Sequence, residues 1–501
     1  MRNDGPTPVN LADLLAVAAG RYPAEVALVT PGASRSELTW AELDAAVGAL
    51  AAGLGATGLI AGARLGLLGP NSTAFVVAYL AALRGGVVVV PLNPQSTPSE
   101  LEVLLTDSGA RVLMAAPDLT PVGLPGVRTL PLTDAGLAAL GVADAPVSSP
   151  RDAESLAVLL YTAGTSGRPK AAMLSHRALL AHVEHLHALG LLGPESTVLA
   201  NLPLFHVFGL NAVLGSWLRS GGRLVVVDGS GPAGGDLSPL LREERVTNLP
   251  LAPPTLHRLL GEDGLEEAVA TVQTVVSGAA PLPEDLAAEF TARTGIEVAQ
   301  GYGLTEAAPG VTATLGGVRR GHGHVGRALP GVEIRIGDGS DASEPAEVSI
   351  RGDNLFSGYW PDGAGGPDAE GWFPTGDIGY LDDGELFLVD RARELVIVNG
   401  FNVYPAEVEQ VIGELPEIAS VAVVGRPDRR TGEQVVAFVV AEEPTPAATL
   451  AELVSLHCEQ RLARFKRPTA LEVVPELPRG ATGKVRKGLL RERAGLVAGL
   501  R

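Results

Sequence analysis

The sequence has one cysteine, few lysines and no long apolar run. Cys458 is the single cysteine in 501 residues, so no disulfide can form within the chain, which fits a reducing compartment. No apolar run reaches the ~18 residues that a membrane-spanning helix needs. The N-terminal residues also lack the charged-then-apolar pattern of a secretion signal. We therefore expect a cytoplasmic protein without integral membrane association.

Positive charge is also in short supply. Asp and Glu total 57 against 38 Lys and Arg, and the formal net charge is −19. A nucleic-acid partner would need a basic surface, so this class of function is disfavoured. Hydrophobic residues make up 46% of the chain and charged residues 19%, which is the composition of a globular protein of more than one domain.

Only four of the basic residues are lysines, and the other 34 are arginines. A base-composition bias accounts for the ratio but not for the places where lysine remains. Lysine is a compact point charge that contacts phosphate differently from arginine. Lysine remains in one Gly/Thr/Ser loop and in one C-terminal segment. These two places are therefore candidate catalytic or phosphate-binding sites. The lysines are Lys170, Lys466, Lys484 and Lys487.

The hydrophobic pattern predicts an α/β fold. Short Val/Leu-rich runs such as 65–69 and 87–91 alternate with amphipathic stretches such as 72–85 and 98–107. This alternation is typical of buried parallel sheets with helices on both faces. After about residue 390 the pattern changes to a compact α+β unit. We expect a large N-terminal domain of mostly parallel sheets flanked by helices, residues 1–389, and a small α+β C-terminal lid domain, residues 390–501.

A loop suited to phosphate follows the apolar run that ends at Tyr161. Glycines let backbone N–H groups approach a phosphate closely, hydroxyls add donors, and lysine adds charge. The spacing from glycine to lysine is not that of a Walker A loop. The candidate phosphate-binding residues are Thr162, Gly164, Thr165, Ser166, Gly167 and Lys170.

The segment Leu159–His176 resembles the signature loop of the superfamily of acyl- and aryl-CoA synthetases, adenylation domains and luciferases. Ala163, Ser166 and Ala171 stand where serine, threonine and glycine are usual. Further matching segments follow in the family's order over nearly the whole chain, and the likeness is greatest to fatty-acid–CoA ligases. These segments are 201–210, 276–282, 300–306, 372–381, 390–409 and 477–487.

The resemblance implies four catalytic residues. His206 would lie near the reacting carboxylate, and Thr305 would contact the α-phosphate of ATP. Glu306 would help to hold Mg²⁺, and Lys484 would bridge carboxylate and phosphate while the adenylate forms.

The resemblance also implies the residues that bind ATP and coenzyme A. Asp377 and Arg391 would contact the ribose, Asp390 would be the pivot of the lid, and Gly400 and Phe401 would face the pantetheine channel. The adenine and phosphate contacts would come from Ser277, Gly278, Ala279, Gln300, Gly301, Tyr302 and Gly303.

The implied function is that of an ATP-dependent acyl-CoA synthetase, which makes acyl-CoA, AMP and pyrophosphate through an acyl-adenylate. Segment 201–210 lacks an aspartate for an α-ammonium, and the small Ala307 and Ala308 leave room for an acyl chain, so we expect a medium- or long-chain fatty acid. An aryl acid is the next alternative, and Arg258 keeps a malonyl-type dicarboxylic acid open. Loading of an acyl carrier protein, or nucleotide binding without catalysis, are the remaining alternatives.

Overall fold

The computed structural model describes residues 7–32, 35–119, 126–142, 152–163, 169–228, 235–315, 320–321, 323–339, 342–391, 396–478, 485 and 487–495. Within these ranges no helix is both long enough and apolar enough to cross a membrane. The α-helices are α1 Asp13–Arg21, α2 Trp40–Ala56, α3 Thr73–Arg84, α4 Pro98–Ser108, α5 Asp134–Leu140, α6 His176–His187, α7 Leu214–Ser220, α8 Leu237–Glu243, α9 Pro253–Leu260, α10 Leu265–Ala268, α11 Glu284–Thr294, α12 Pro405–Ile412, α13 Ala447–Arg461 and α14 Lys487–Ala494.

The strands follow the same chain order. They are β1 Val26–Thr30, β2 Ser36–Thr39, β3 Arg64–Leu68, β4 Val88–Leu92, β5 Val112–Ala115, β6 Arg128–Pro131, β7 Leu156–Ala163, β8 Pro169–Ser175, β9 Thr197–Ala200, β10 Arg223–Val226, β11 Asn248–Leu251, β12 Thr274–Ser277, β13 Val298–Gly303, β14 Gly310–Ala313, β15 His324–Ala328, β16 Glu333–Ile336, β17 Ala346–Arg351, β18 Phe373–Asp382, β19 Glu385–Arg391, β20 Val396–Val398, β21 Phe401–Val403, β22 Ile418–Asp428, β23 Gly432–Ala441 and β24 Ala470–Val473.

Three sheets organise the described residues. The largest has the order β16-β17-β18-β19-β15-β14-β13-β12-β11-β9-β10-β1-β2, and a second has the order β6-β5-β3-β4-β7-β8. The third is formed by β20–β24 and carries α12–α14. The prediction of an α/β fold with a large sheet domain and a small C-terminal α+β unit is confirmed.

The prediction of mostly parallel strands holds for β9–β13 and for β3–β7, but β14–β19 are antiparallel. The turn between β18 and β19 shows the reason. Asp383 and Gly384 both have positive φ, 51° and 74°, as two-residue hairpin turns require. An Asp-Gly pair between two apolar runs is a local hairpin signal, and it is easily hidden in a chain dominated by helical crossovers.

Helix α3 occupies the centre of the N-terminal part. All ten residues from Ala74 to Leu83 are buried, so the helix is apolar on every side. A helix of this kind must be covered all round, and α3 contacts β1 of the large sheet as well as β3 and β4 of the second sheet. Nearby, Trp40 stacks on Trp217 with ring centroids 4.9 Å apart.

Two helices begin with the same capping arrangement. Thr39 caps α2 and Thr97 caps α4, and in each the threonine hydroxyl accepts the backbone N–H of a glutamate three residues later. The carboxylates of Glu42 and Glu100 in turn accept the backbone N–H groups of the two threonines at 2.9 and 2.8 Å. Each box satisfies two backbone donors that the first helical turn leaves unpaired.

Two buried histidines predict that the fold is sensitive to acid. Burial lowers the pKa of His176 to about 4 and that of His182 to about 3, below the ordinary value of about 6.5. The unfolded chain therefore binds more protons, so the stability that these groups contribute is present above pH 6.5 and is lost as the pH falls toward 4. The free energy of unfolding should fall by about 1 kcal/mol per histidine between about pH 7 and pH 5.5.

Urea denaturation at these two pH values measures the change. A His257→Gln variant, altered on the exposed face of α9, is the control and should show the same loss as the wild-type protein. Equal stability at both pH values would contradict the neutral state of the two buried rings.

Candidate active site

The sheet brings two of the predicted nucleotide-binding segments together. Strands β12 and β13 are parallel neighbours, and Ser277 lies opposite Gln300 in their register. The residues that follow, Gly278 and Ala279, therefore leave the sheet at the same edge as Gly301. Carboxyl ends of parallel strands are where α/β proteins place their ligands. The segments 277–279 and 300–303 are thus brought to one edge of the sheet.

A short buried turn follows β13. Thr305 and Glu306 lie in a 3₁₀ turn and are only 8% and 7% exposed. The turn ends at Ala308, whose φ is +59°. Its carbonyls are held by two amides: Asn354 Nδ2 donates to Ala307 O and Asn211 Nδ2 donates to Ala308 O, each at 2.7 Å. These bonds hold both predicted catalytic residues of the turn in place.

Tyr359 connects the turn with the phosphate loop. Its hydroxyl donates to Glu306 Oε1 at 2.5 Å, and the Lys170 ammonium lies 5.2 Å from the centroid of its ring. The backbone of Tyr359 is bridged to Ala172 of β8. Sequence reasoning missed this residue, because its partner Glu306 is 53 residues away in the chain. Two adjacent aromatic residues, Tyr359 and Trp360, just before a glycine- and proline-rich stretch were the signal that could have found it.

Glu306 fits a magnesium ion that comes with its nucleotide. Within the described ranges no group of three or more His, Cys, Asp and Glu side chains could hold a metal ion. Mg²⁺ prefers oxygen ligands and commonly uses one or two carboxylates together with substrate phosphates. A single buried carboxylate, oriented by the hydroxyl of Tyr359, whose ring lies against Lys170, meets that requirement.

Two predicted nucleotide contacts meet across the large sheet. The hydroxyl of Tyr302 donates to Asp377 Oδ2 at 2.7 Å, and the Asp377 backbone N–H donates to Thr375 Oγ1 at 3.1 Å. The backbone of Arg391 lies opposite Asp377 in the β18–β19 ladder. The side chains of Arg391 and Asp390 lie outside the described part of the chain.

His206 is neutral at physiological pH. Burial lowers the pKa of the imidazole to about 4. Its Nδ1 accepts the backbone N–H of Phe208 at 3.3 Å, so we assign the ring hydrogen to Nε2. A neutral ring in this state can donate one hydrogen bond to a carboxylate oxygen without adding net charge.

The wall next to His206 is closed by an aromatic ring. A Cβ on Gly278 would lie 2.7 Å from Phe208 Cε1, so this position tolerates no side chain while Phe208 keeps its place. Ala307 and Ala308 are fully buried, which contradicts the expectation that they leave room for an acyl chain. Arg258 is exposed on α9, on the face opposite the buried Leu256.

The C-terminal unit meets the N-terminal part through the predicted pantetheine segment. Gly400 has φ +81°, and a Cβ there would lie 3.7 Å from Ala252 Cβ and 3.9 Å from Ala279 Cβ. Phe401 stacks on Phe205, with ring centroids 5.8 Å apart and planes at 6°. The turn that was expected to face coenzyme A is therefore directed at the edge of β12.

The remaining predicted residues lie at the ends of the phosphate loop, at the end of β13 or outside the described ranges. Thr162 and Lys170 are paired near the open end of the β7–β8 ladder, where the phosphate loop begins and ends. Gly303 approaches the backbone closely, because a Cβ there would lie 2.1 Å from Pro309 O. The residues outside the described ranges are Gly164, Thr165, Ser166, Gly167 and Lys484.

The fold and these segments are those of an adenylate-forming enzyme, and the chain belongs to the AMP-binding enzyme family. That family matches residues 15–360, and the AMP-binding enzyme C-terminal domain matches residues 407–484. The chain is an ATP-dependent acid–thiol ligase, and the CoA ligases of this family use ATP, Mg²⁺ and coenzyme A.

Three similar proteins illustrate the range of the family. Feruloyl-CoA synthase from Amycolatopsis sp is 34% identical over 95% of this chain and 99% of its own. Long-chain-fatty-acid–CoA ligase from Escherichia coli O157:H7 is 31% identical over 98% of this chain and 97% of its own. The structure of a double mutant of o-succinylbenzoate CoA synthetase from Bacillus subtilis, bound with its product analogue OSB-NCoA, has a TM-score of 0.83. It shares 28% identity and covers 97% of this chain and 99% of its own.

Tyr359 provides a direct test of the site. In Tyr359→Phe the carboxylate of Glu306 loses its hydroxyl donor, while the ring beside Lys170 stays. Hydrogen bonds to charged groups contribute about 1.5–3 kcal/mol, so we expect acid-dependent ATP–pyrophosphate exchange to slow roughly tenfold, most strongly at low Mg²⁺. Tyr380→Phe is the matched control, since Tyr380 stacks on Phe387 in β19. Unchanged exchange at every Mg²⁺ concentration would show that the Tyr359 bond does not support the site.

Proposed function

We propose that this ligase activates a monocarboxylic acid with a compact, uncharged tail, and that an aryl acid is its substrate class. The observation that carries the proposal is the ring of Phe208 lying against Gly278 beside His206. The flat ring of an aryl acid can stack on such a wall, whereas a long acyl chain needs a deep pocket. The 34% identity to feruloyl-CoA synthase supports this choice.

In the first half-reaction a carboxylate oxygen attacks the α-phosphorus of ATP, and pyrophosphate leaves. The barrier is repulsion between anions and the charge that grows on the phosphoryl oxygens. Lys170 and Lys484 supply positive charge to the phosphates, and Thr305 supplies a hydroxyl group. Glu306, oriented by Tyr359, would hold the Mg²⁺ that neutralises the phosphate oxygens. His206 orients the attacking carboxylate.

Nucleotide recognition uses the edge of the large sheet. The ring of Tyr302 packs on the adenine while its hydroxyl orients Asp377, and Asp377 with Arg391 accepts and donates hydrogen bonds to the ribose. The backbone of 277–279 and 300–303, together with the loop from Thr162 to Lys170, surrounds the remaining polar atoms.

In the second half-reaction the sulfur of coenzyme A attacks the acyl carbonyl, AMP leaves, and the thiol proton is released. Water must be excluded in the first step and a thiol admitted in the second. A C-terminal lid that turns about Asp390 meets both demands. It would present Lys484 during adenylation and the Gly400–Phe401 turn during thioester formation. The contact of Gly400 with Ala252 and Ala279 supports the second arrangement for the structure described.

A medium- or long-chain fatty acid is the second candidate. The sequence predicted it, and the likeness to a long-chain-fatty-acid–CoA ligase favours it. This candidate requires Phe208 to turn away from Gly278. A malonyl-type dicarboxylic acid is the third candidate, because the structure of a malonyl-CoA ligase shares 32% identity and covers 95% of this chain, and Arg258 is exposed on α9.

AMP release with a panel of acids tests the function. We expect ferulate, 4-coumarate or benzoate, with ATP, Mg²⁺ and coenzyme A, to give the thioester, and palmitate and malonate to give little. Lys484→Ala is the inactive control, because loss of a preorganised donor at a reacting centre slows the reaction by about 10²–10³. Turnover only with an acyl carrier protein in place of coenzyme A would overturn the choice of acceptor. Turnover with palmitate alone would overturn the choice of acid.

Phe208→Ala tests the wall itself. Removing the ring opens space beside Gly278, so kcat/KM for decanoate relative to ferulate should rise by about tenfold or more, as a change of a few methylenes in a pocket allows. Phe208→Tyr keeps the ring and serves as the control. An unchanged ratio in Phe208→Ala would place the acyl group elsewhere.

A further inference from the structure

Two of the four lysines, Lys466 and Lys487, have no part in the site as described, and Lys466 contacts both halves of the molecule. Lys466 lies in the 3₁₀ turn Arg464–Lys466 of the C-terminal unit. Its Nζ is 2.7 Å from Glu407 Oε1 and 3.2 Å from Glu100 Oε1, and the three side chains are only 16%, 11% and 13% exposed. Burial alone would lower the pKa of Lys466, but the two carboxylates outweigh it and raise the pKa. The group is therefore a buried ammonium between two acids.

The two carboxylates belong to different halves of the molecule. Glu407 is in α12 of the C-terminal unit, whereas Glu100 is in the first turn of α4 in the N-terminal part. Glu100 Oε1 also accepts the backbone N–H of Ala463 at 3.3 Å. A single N-terminal carboxylate thus receives two donors from the C-terminal unit.

The turn that carries Lys466 also supports the predicted coenzyme A segment. Phe465 packs on Phe401 with ring centroids 4.7 Å apart, and Phe401 stacks on Phe205 beside His206. Movement of this turn would therefore move Phe401, and Gly400 with it, relative to Ala279.

Glu407 makes the contact reversible. Breaking a buried ion pair is costly when it leaves a charge without a partner. If the two halves separate, Lys466 keeps Glu407, which travels with it. The separated Glu100 keeps its bond to the backbone N–H of Thr97. Neither charge is left buried and unpaired.

We infer that Glu100 is a positioning residue for thioester formation: its carboxylate holds Lys466 and the Ala463 amide, and so keeps the Gly400–Phe401 turn at the active site during acyl transfer to coenzyme A. This inference rests on the proposed two-step function. We expect the Glu100–Lys466 contact to play no role in adenylation, because the proposed lid is in a different position during that step.

The test uses Glu100→Gln, because glutamine can still cap α4 but lacks the charge. Glu42→Gln is the matched control, since Glu42 has the same capping role in α2 and is exposed. With ferulate or decanoate as probe, single-turnover transfer to coenzyme A should slow about tenfold in Glu100→Gln, which equals about 1.4 kcal/mol. ATP–pyrophosphate exchange should stay within about twofold of wild type in both variants, as for a surface substitution.

A charge swap separates positioning from simple damage. Glu100→Lys combined with Lys466→Glu keeps one ammonium and two carboxylates at the contact, so it should restore the part of the transfer rate that depends on the ion pair, although a lysine at position 100 cannot accept the Ala463 N–H. Normal transfer in Glu100→Gln, equal slowing of both half-reactions, or a double variant no better than the singles would each overturn the inference.

Hydrogen exchange keeps the test independent of the substrate assignment. If neither probe acid supports pyrophosphate exchange, the proposed acid is wrong but the contact can still be measured. Backbone amides of residues 463–466 should exchange about tenfold faster in Glu100→Gln than in Glu42→Gln, because the turn is held less often against α4. Equal exchange in the two variants would show that Glu100 does not hold the turn.

Discussion

The site depends on the backbone carbonyls of a single buried turn. The turn from Thr305 to Ala308 leaves the sheet where no strand can pair with it, and buried carbonyls without partners are costly. The amides of Asn354 and Asn211 satisfy two of them. Asn211 lies in the π-helical turn Phe208–Val213, which begins two residues after His206, and Asn354 begins the segment that leads to Tyr359. The carboxylate proposed for the metal, the histidine proposed for the acid, and the wall of its pocket are therefore positioned by the same pair of bonds.

Charged side chains near the site and at the contact between the two halves are arranged differently. Burial keeps His206 neutral, and the lysine at the phosphate loop lies over the ring of Tyr359 and forms no ion pair with the described residues. By contrast, the buried ammonium at Lys466 is matched by two carboxylates. A cation that must meet phosphate is left available to it, whereas a cation that holds two parts of the protein together is neutralised by protein. This difference separates the phosphate-loop lysine from the positioning lysine in a chain that has so few.

Local patterns in the sequence predicted much of this structure. Apolar runs and amphipathic periods located β3, β4, α3 and α4, whereas the meeting of segments 277–279 and 300–303 at one edge follows from the register of β12 and β13. Tyr359 was missed because its bond to Glu306 spans 53 residues and leaves no periodic trace. Glu100 was not singled out in the sequence, since its second role depends on a partner 366 residues away. Ala307 and Ala308 were expected to leave space for an acyl chain because their side chains are small. In the structure both are fully buried among other core residues.

The residues that hold the catalytic turn are different from those that form the wall of the acyl pocket. This separation explains why one fold can serve acids as different as those of the similar ligases. Asn211 and Phe208 share one π-helical turn, but their side chains do different work: the amide holds the Ala308 carbonyl, and the ring meets Gly278. A change at Phe208 or Gly278 alters the volume beside His206 without removing a hydrogen bond from the catalytic turn. A change at Asn211 would leave a buried carbonyl without its donor and disturb Glu306 and Thr305 together. Specificity can therefore vary at the aromatic wall while the amide pair stays constrained by the chemistry common to every substrate.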